Sequence, residues 1–151
     1  MPGPLTGLRV LDKYAVKAGG GGNHRAGLYD AVLIKENHII AAGGISVAIQ
    51  RARDYIPHTM KIEIETETLA QVAEALAAGA DIIMLDNMDE ATMKKAVEIT
   101  AGRAWLEASG EINAERLPRV AATGVNLISM GALTHSAAAV DVHLRLMKTG
   151  I

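Results

Sequence analysis

Apolar positions along the chain follow two rhythms. In GLRVLDKYAVKAGGGG, Leu8, Leu11, Ala15 and Val16 fall at helical spacing and a glycine run follows, which predicts an amphipathic helix with a glycine stop. AVLIK, Ala31 to Lys35, is a short continuous apolar run and predicts a buried strand. SVAIQRARDYI predicts a helix capped by Ser46. Met60 to Thr66 alternates and predicts a second strand, and TLAQVAEALAAGA predicts a helix closed by Gly79. Ile82 to Leu85 predicts a buried strand, and DEATMKKAVEIT a helix whose acids lead and whose lysines follow, as the helix dipole favours. AWLEASG, INAERLPRVAATG, NLISMG and SAAAVDVHLRLMK then predict strand, helix, strand and helix.

The result is one helix followed by about five strand–helix units in a single domain spanning residues 1–151. Short apolar strands alternating with helices imply an α/β fold, a parallel sheet covered on both faces. An open doubly wound sheet and part of a (β/α) barrel both fit. A complete eight-stranded barrel needs roughly 200 or more residues, so a barrel here would be partial.

In such folds ligands sit at the C-terminal ends of the strands, and there the polar residues collect. Lys35 closes the first strand, Asp86 and Asn87 the third, Glu107, Ser109 and Gly110 the fourth, and Ser129 and Gly131 the fifth, with His135 beyond. Glu63 and Glu65 share one face of the second strand and imply a metal or basic neighbours. Plainer readings stand beside these: Gly19–Gly22 as a helix stop, His24 and Arg25 as a solvated turn, Lys35 as an ion partner of Glu65 or Asp86, and the two glycine turns as simple turns. His58 and His143 read as surface residues, and the seven methionines as core filler.

Taken together, the polar set has a coherent chemistry. His24, Arg25 and Lys35 form a cationic corner suited to a small polycarboxylate. Glu65 and Asp86 offer oxygen ligands for Mg²⁺. Ser109–Gly110 and Met130–Ala132 precede helices on adjacent strands and offer backbone N–H groups to a phosphate monoester. Acid, metal and phosphate together suggest a sugar phosphate activated by pyrophosphate.

Composition narrows the classes. With no Phe, one Trp and 15 basic against 17 acidic residues, neither base stacking nor a basic surplus supports nucleic-acid binding. No cysteine is present, so thiol chemistry and thiolate metal sites are out. No apolar run reaches the roughly 18 residues of a spanning helix, and MPGPLTGLRV lacks a charged segment leading into an apolar one. A cytoplasmic protein without membrane association is expected.

GLRVLDKYAV, GGGGNHRAGLYDAVLIKENHI, IEIET, ADIIMLDN, LEASG and GVNLISMGALTHS, in this order, resemble the quinolinate phosphoribosyltransferases, the carboxylating nicotinate-nucleotide pyrophosphorylases. NHR followed by LIKENH is the specific part. The resemblance implies a TIM-type barrel and a reaction: quinolinate and phosphoribosyl pyrophosphate give nicotinate mononucleotide, pyrophosphate and carbon dioxide, with Mg²⁺, in NAD synthesis. By position, His24, Arg25 and Lys35 resemble the residues that bind quinolinate. Glu65 and Asp86 resemble the acids at the ribose and metal. Ser109, Gly110, Gly131 and His135 resemble the phosphate site, and Lys35, Glu65 and Asp86 stand as the catalytic group.

Three departures qualify the resemblance. The family's Thr-Arg-Lys-Thr motif falls where this chain reads MPGPLT. The family's N-terminal α/β domain and first barrel strands have no counterpart, and the family's Ser-Gly-Gly turn reads Ser109-Gly110-Glu111. A fragment with little or no turnover is therefore expected. The alternative is a non-catalytic phosphate-binding or scaffold fragment. Open parallel edges also predict self-association as a dimer or higher homo-oligomer, which a single monomeric species in light scattering would contradict.

Overall fold

The computed structural model describes residues 7–147 of the 151. Helix α1 (Arg9–Ala18) leads into β1 (Val32–Ile34), α2 (Glu36–Ala42), α3 (Ile45–Tyr55), β2 (Ile62–Thr66), α4 (Leu69–Ala77) and β3 (Ile82–Asp86). Then come α5 (Glu90–Thr100), β4 (Trp105–Ser109), α6 (Leu117–Ala121), β5 (Leu127–Ile128) and α7 (Ala132–His135). The five strands are parallel and lie in chain order, β1-β2-β3-β4-β5. A doubly wound sheet would reverse its order at a switch point. This one does not, so the sheet is an unclosed part of a (β/α) barrel. Among the described residues no helix is long and apolar enough to cross a membrane.

Local signals explain the central elements. Thr68 caps α4 by accepting the Gln71 N–H, and the Gln71 side chain accepts from the Thr68 N–H in return. Asp89 caps α5 through the Thr92 N–H at 2.7 Å. The core lies on one face of the sheet. Ile62, Ile64, Ile83, Leu85, Leu106 and Ala108 pack there against Ile45 and Ile49 of α3, Val72 and Ala75 of α4, Met93 and Ala96 of α5, and Val120 of α6. Two-residue periodicity sends the alternate side chains to the other face. That face is crossed by the loop carrying His24, which reaches β2 and β4. The expected helical cover on both faces is thus corrected to α3–α6 on one face. Of the methionines, Met84, Met88 and Met93 are buried, whereas Met147 is exposed.

At its lower rim the sheet is tied by Asp81. Its carboxylate accepts from the Ile62 N–H at 2.8 Å and pairs with Arg53 at 2.8 Å and Lys61 at 3.5 Å. Burial opposes these bonds, yet the Ile62 N–H and Arg53 hold the Asp81 pKa below its ordinary value.

Other expectations are corrected too. Gly44, not Ser46, is the N-cap of α3; Ser46 sits in the first turn, where its N–H and hydroxyl donate to Glu74. Residues Glu36–Ala42 form a helix that the apolar pattern does not announce, stopped by Gly43 in the left-handed region at φ 93°. α6 is Leu117–Ala121, and Pro118 sets its start, because proline is tolerated in a helix's first turn and not farther in. The helix expected over SAAAVDVHLRLMK is absent from its described part, residues 136–147. Val140, Val142, Leu144 and Leu146 alternate with Asp141, His143 and Arg145, so they cannot form one apolar helical stripe, and they are 82–90% exposed.

Candidate functional site

The strands place a set of acids opposite the core. Glu63 and Glu65 on β2, Asp86 on β3 and Glu107 on β4 all fall on the face without α3–α6, by the same alternation that sends Ile62, Ile64, Leu85 and Leu106 to the core. Met84 lies between Glu65 and Glu107 in register, buried but outside the helix-packed cluster. Carboxylates here need cations, since an unpaired buried charge is costly.

Two groups form. In the outer one, Lys35 Nζ stands 3.1 Å from Glu65 Oε2, and Asp86 interacts with both. Burial and then the Glu65 charge raise the Asp86 pKa, while the Asn87 side chain and Lys35 oppose. The backbone N–H of Lys35 donates to His38 Nδ1 at 2.9 Å, which fixes the start of α2 directly behind the lysine. Lys35, Glu65 and Asp86 thus meet at the ends of β1, β2 and β3.

In the inner group, His24 Nε2 lies 3.0 Å from Glu63 Oε2 and 3.7 Å from Glu107 Oε1. Both acids are about 3% exposed. The Ser129 hydroxyl donates to Glu107 Oε1, yet burial leaves the Glu107 pKa raised. The bond to Glu63 raises the His24 pKa, and burial works against it. This trio has the residue types of a metal site. The ring's other nitrogen argues otherwise: His24 Nδ1 accepts the Arg25 N–H at 2.8 Å. A neutral imidazole with Nδ1 as acceptor carries its proton on Nε2, the atom a metal would need.

The three expected cations therefore do not converge on one partner. His24 faces Glu63 and Glu107, Lys35 faces Glu65, and Arg25 Nη1 donates to the Ala31 carbonyl at 3.1 Å, before β1 begins. Lys13 of α1, not singled out by the pattern, holds the loop by donating to the carbonyls of Arg25 at 2.7 Å and His24 at 3.3 Å.

Ser109–Gly110 and Gly131 come to adjacent strand ends, as expected from the β4–β5 pairing. Gly110 is needed there: its φ is +90°, and a Cβ would lie 2.2 Å from Asn87 Oδ1. Asn87 and Glu111 also adopt left-handed backbone, at φ 54° and 48°. Glu111 itself is exposed. Gly131 caps the four-residue α7, whose last residue, His135, has its Nδ1 2.7 Å from the Ser136 hydroxyl. Nothing in the spacing of the sequence marks Arg116. It ties the loops after β3 and β4 by donating to the carbonyls of Met88 at 2.7 Å and Gly110 at 3.2 Å and pairing with Glu90 at 3.0 Å.

Sequential parallel strands with helices on one face define the class, part of a (β/α) barrel, and acids with cations make the C-terminal rim its candidate site. Residues 4–145 match the family model for the quinolinate phosphoribosyl transferase C-terminal domain, and the chain belongs to that family. It is 51% identical over 138 residues to a probable carboxylating nicotinate-nucleotide pyrophosphorylase of Bacillus subtilis, covering 91% of this chain and 48% of that protein. It is 45% identical to the chloroplastic carboxylating nicotinate-nucleotide pyrophosphorylase of Arabidopsis thaliana, covering 93% of this chain and 45% of that one. The crystal structure of NadC from Streptococcus pyogenes superposes with a TM-score of 0.87 at 45% identity, over 91% of this chain and 48% of that one. The chain spans about half the length of the curated relatives it matches.

Proposed function

We propose that this chain carries the substrate-binding rim of a carboxylating nicotinate-nucleotide pyrophosphorylase, which joins quinolinate to phosphoribosyl pyrophosphate and releases pyrophosphate and carbon dioxide. The observation that carries the reading is the meeting of Lys35, Glu65 and Asp86 at three successive strand ends, in a chain of this family. Lys35, with Arg25 on the neighbouring loop, would hold the carboxylates of quinolinate, and His24, whose two ring nitrogens engage Glu63 and the Arg25 N–H, would place that loop rather than bind the substrate itself. A dicarboxylate arriving at Lys35 competes with Glu65 for the ammonium, which favours a cation beside the acids. Glu65 and Asp86 bring two carboxylates together with Lys35 Nζ, 3.1 Å from Glu65 Oε2, as their near cation, and burial and the Glu65 charge raise the Asp86 pKa, so oxygen ligands and uncompensated negative charge suit the pair to a hard cation. Glu65 and Asp86 would hold Mg²⁺, which when bound neutralises charge on the departing pyrophosphate. The turns at Ser109–Gly110 and Gly131, with His135, would take the ribose phosphate. Placement of the ring nitrogen against the ribose carbon accounts for the rate enhancement, as positioning does in such transfers. We read the protein as cytoplasmic.

Glu111 favours a second reading, a phosphate-binding or scaffold module without turnover, because its carboxylate follows the phosphate turn directly. Titrating quinolinate into the chain by calorimetry, with and without Lys35→Ala, tests the proposal. Binding that Lys35→Ala weakens about tenfold, the worth of one charge-assisted bond, is expected. Binding unaffected by Lys35→Ala, or no binding at all, would overturn it.

A further inference from the structure

Glu63 has no part in the substrate contacts above, yet it is buried on an acid-lined face and aimed at a single histidine. We propose that Glu63 is the positioning residue of this site: its carboxylate accepts the Nε2 proton of His24, fixes the imidazole tautomer and so pins the glycine-rich loop that bears Arg25.

The geometry favours one tautomer of His24. Nδ1 faces the Arg25 N–H at 2.8 Å as its acceptor, which places the proton of the neutral ring on Nε2, toward Glu63 3.0 Å away. Glu107 stands farther, at 3.7 Å, and its near oxygen is already taken by the Ser129 hydroxyl. With Glu63 as the close acceptor, the ring orients the Arg25 N–H and hence the turn between His24 and Asp30. That turn is closed by Asp30, which accepts from the N–H groups of Ala26 at 2.6 Å and Gly27 at 2.9 Å. Glycines at 19–22 give the loop no stiffness of its own, so its placement rests on such pins. The charged groups facing His24 are Glu63, Glu107 and Arg25. This role rests on the reading above for its ligand, quinolinate, but not for its geometry.

The test compares wild type, Glu63→Gln and Glu63→Ala by nitrogen-15 NMR of the His24 ring and by quinolinate calorimetry. Glutamine keeps an acceptor oxygen; alanine removes it. Wild type and Glu63→Gln are expected to show the Nε2–H tautomer and quinolinate affinities within about twofold of each other. Glu63→Ala is expected to mix the tautomers and to weaken binding about tenfold, as for loss of a bond to a charged group. A wild-type ring protonated on Nδ1, or Glu63→Gln as damaged as Glu63→Ala, overturns the inference. Should Glu63→Ala not fold, the wild-type and Glu63→Gln spectra decide the matter alone. If wild type does not bind quinolinate, the proposed function falls, and the tautomers still decide this inference.

Discussion

Strands β2, β3 and β4 show two surfaces made from one run of residues. Toward α3–α6 they present Ile62, Ile64, Ile83, Leu85, Leu106 and Ala108, none more than 2% exposed. Toward the other side, the same strands present Glu63, Glu65, Asp86 and Glu107. The first surface is held by burial, worth about 25 cal/mol per Å² of apolar area and indifferent to pH. The second depends on charge pairing, and two of its acids, Asp86 and Glu107, have raised pKa values because burial is not fully offset. One face stabilises the fold; the other carries groups whose ionisation costs stability. A face built only for stability would omit acids kept at such a cost, and the proposed binding role supplies a reason for them.

The largest break in the comparison should come from the apolar face. Ile64→Ala removes a fully buried side chain and is expected to cost about 3 kcal/mol in denaturant unfolding, equally at pH 5 and pH 8. A loss below about 1 kcal/mol would mean that the helices do not hold this face as described.

A smaller change, of opposite sign, should come from the acid face. Burial raises the Glu107 pKa above the ordinary 4.5, so the folded state binds its proton more tightly than the unfolded state. Stability therefore falls as pH rises from 4.5 through the raised folded value, and the full penalty is present above that value. Glu107→Gln should then stabilise the chain by ~1 kcal/mol at pH 8 and leave it unchanged near pH 4, since glutamine can still accept from Ser129. Thermal melts at the two pH values check this; destabilisation at pH 8 would show the ionised carboxylate to be a net stabiliser.

The central units were legible because each had two agreeing signals. Thr68 and Asp89 mark helix starts just where apolar periodicity begins, and Gly79 follows the end of α4. Legibility failed where one signal stood alone. Val140 to Leu146 carry a strand-like alternation inside a segment whose alanines and leucines favour helix, and the seven residues of α2 are too few to show a helical period. For the site, Lys35, Glu65 and Asp86 were readable because a strand end is a local feature and two-residue alternation assigns the face. His24 and Arg25 were readable as cations but not as to their partners, because a glycine-rich loop carries no register.

By itself, the sequence determined the α/β alternation, the core face of each strand and the positions of the acids at the strand ends. These depend on periodicity and capping, which act between residues a few positions apart. Only the tertiary structure decided that the sheet runs in chain order without reversal, that His24 reaches Glu63 on β2 and Glu107 on β4, and that Arg116 joins the turns after β3 and β4. Those contacts join residues from separate strand–helix units, and they exist only once parallel register has set the strands side by side and fixed which ends meet.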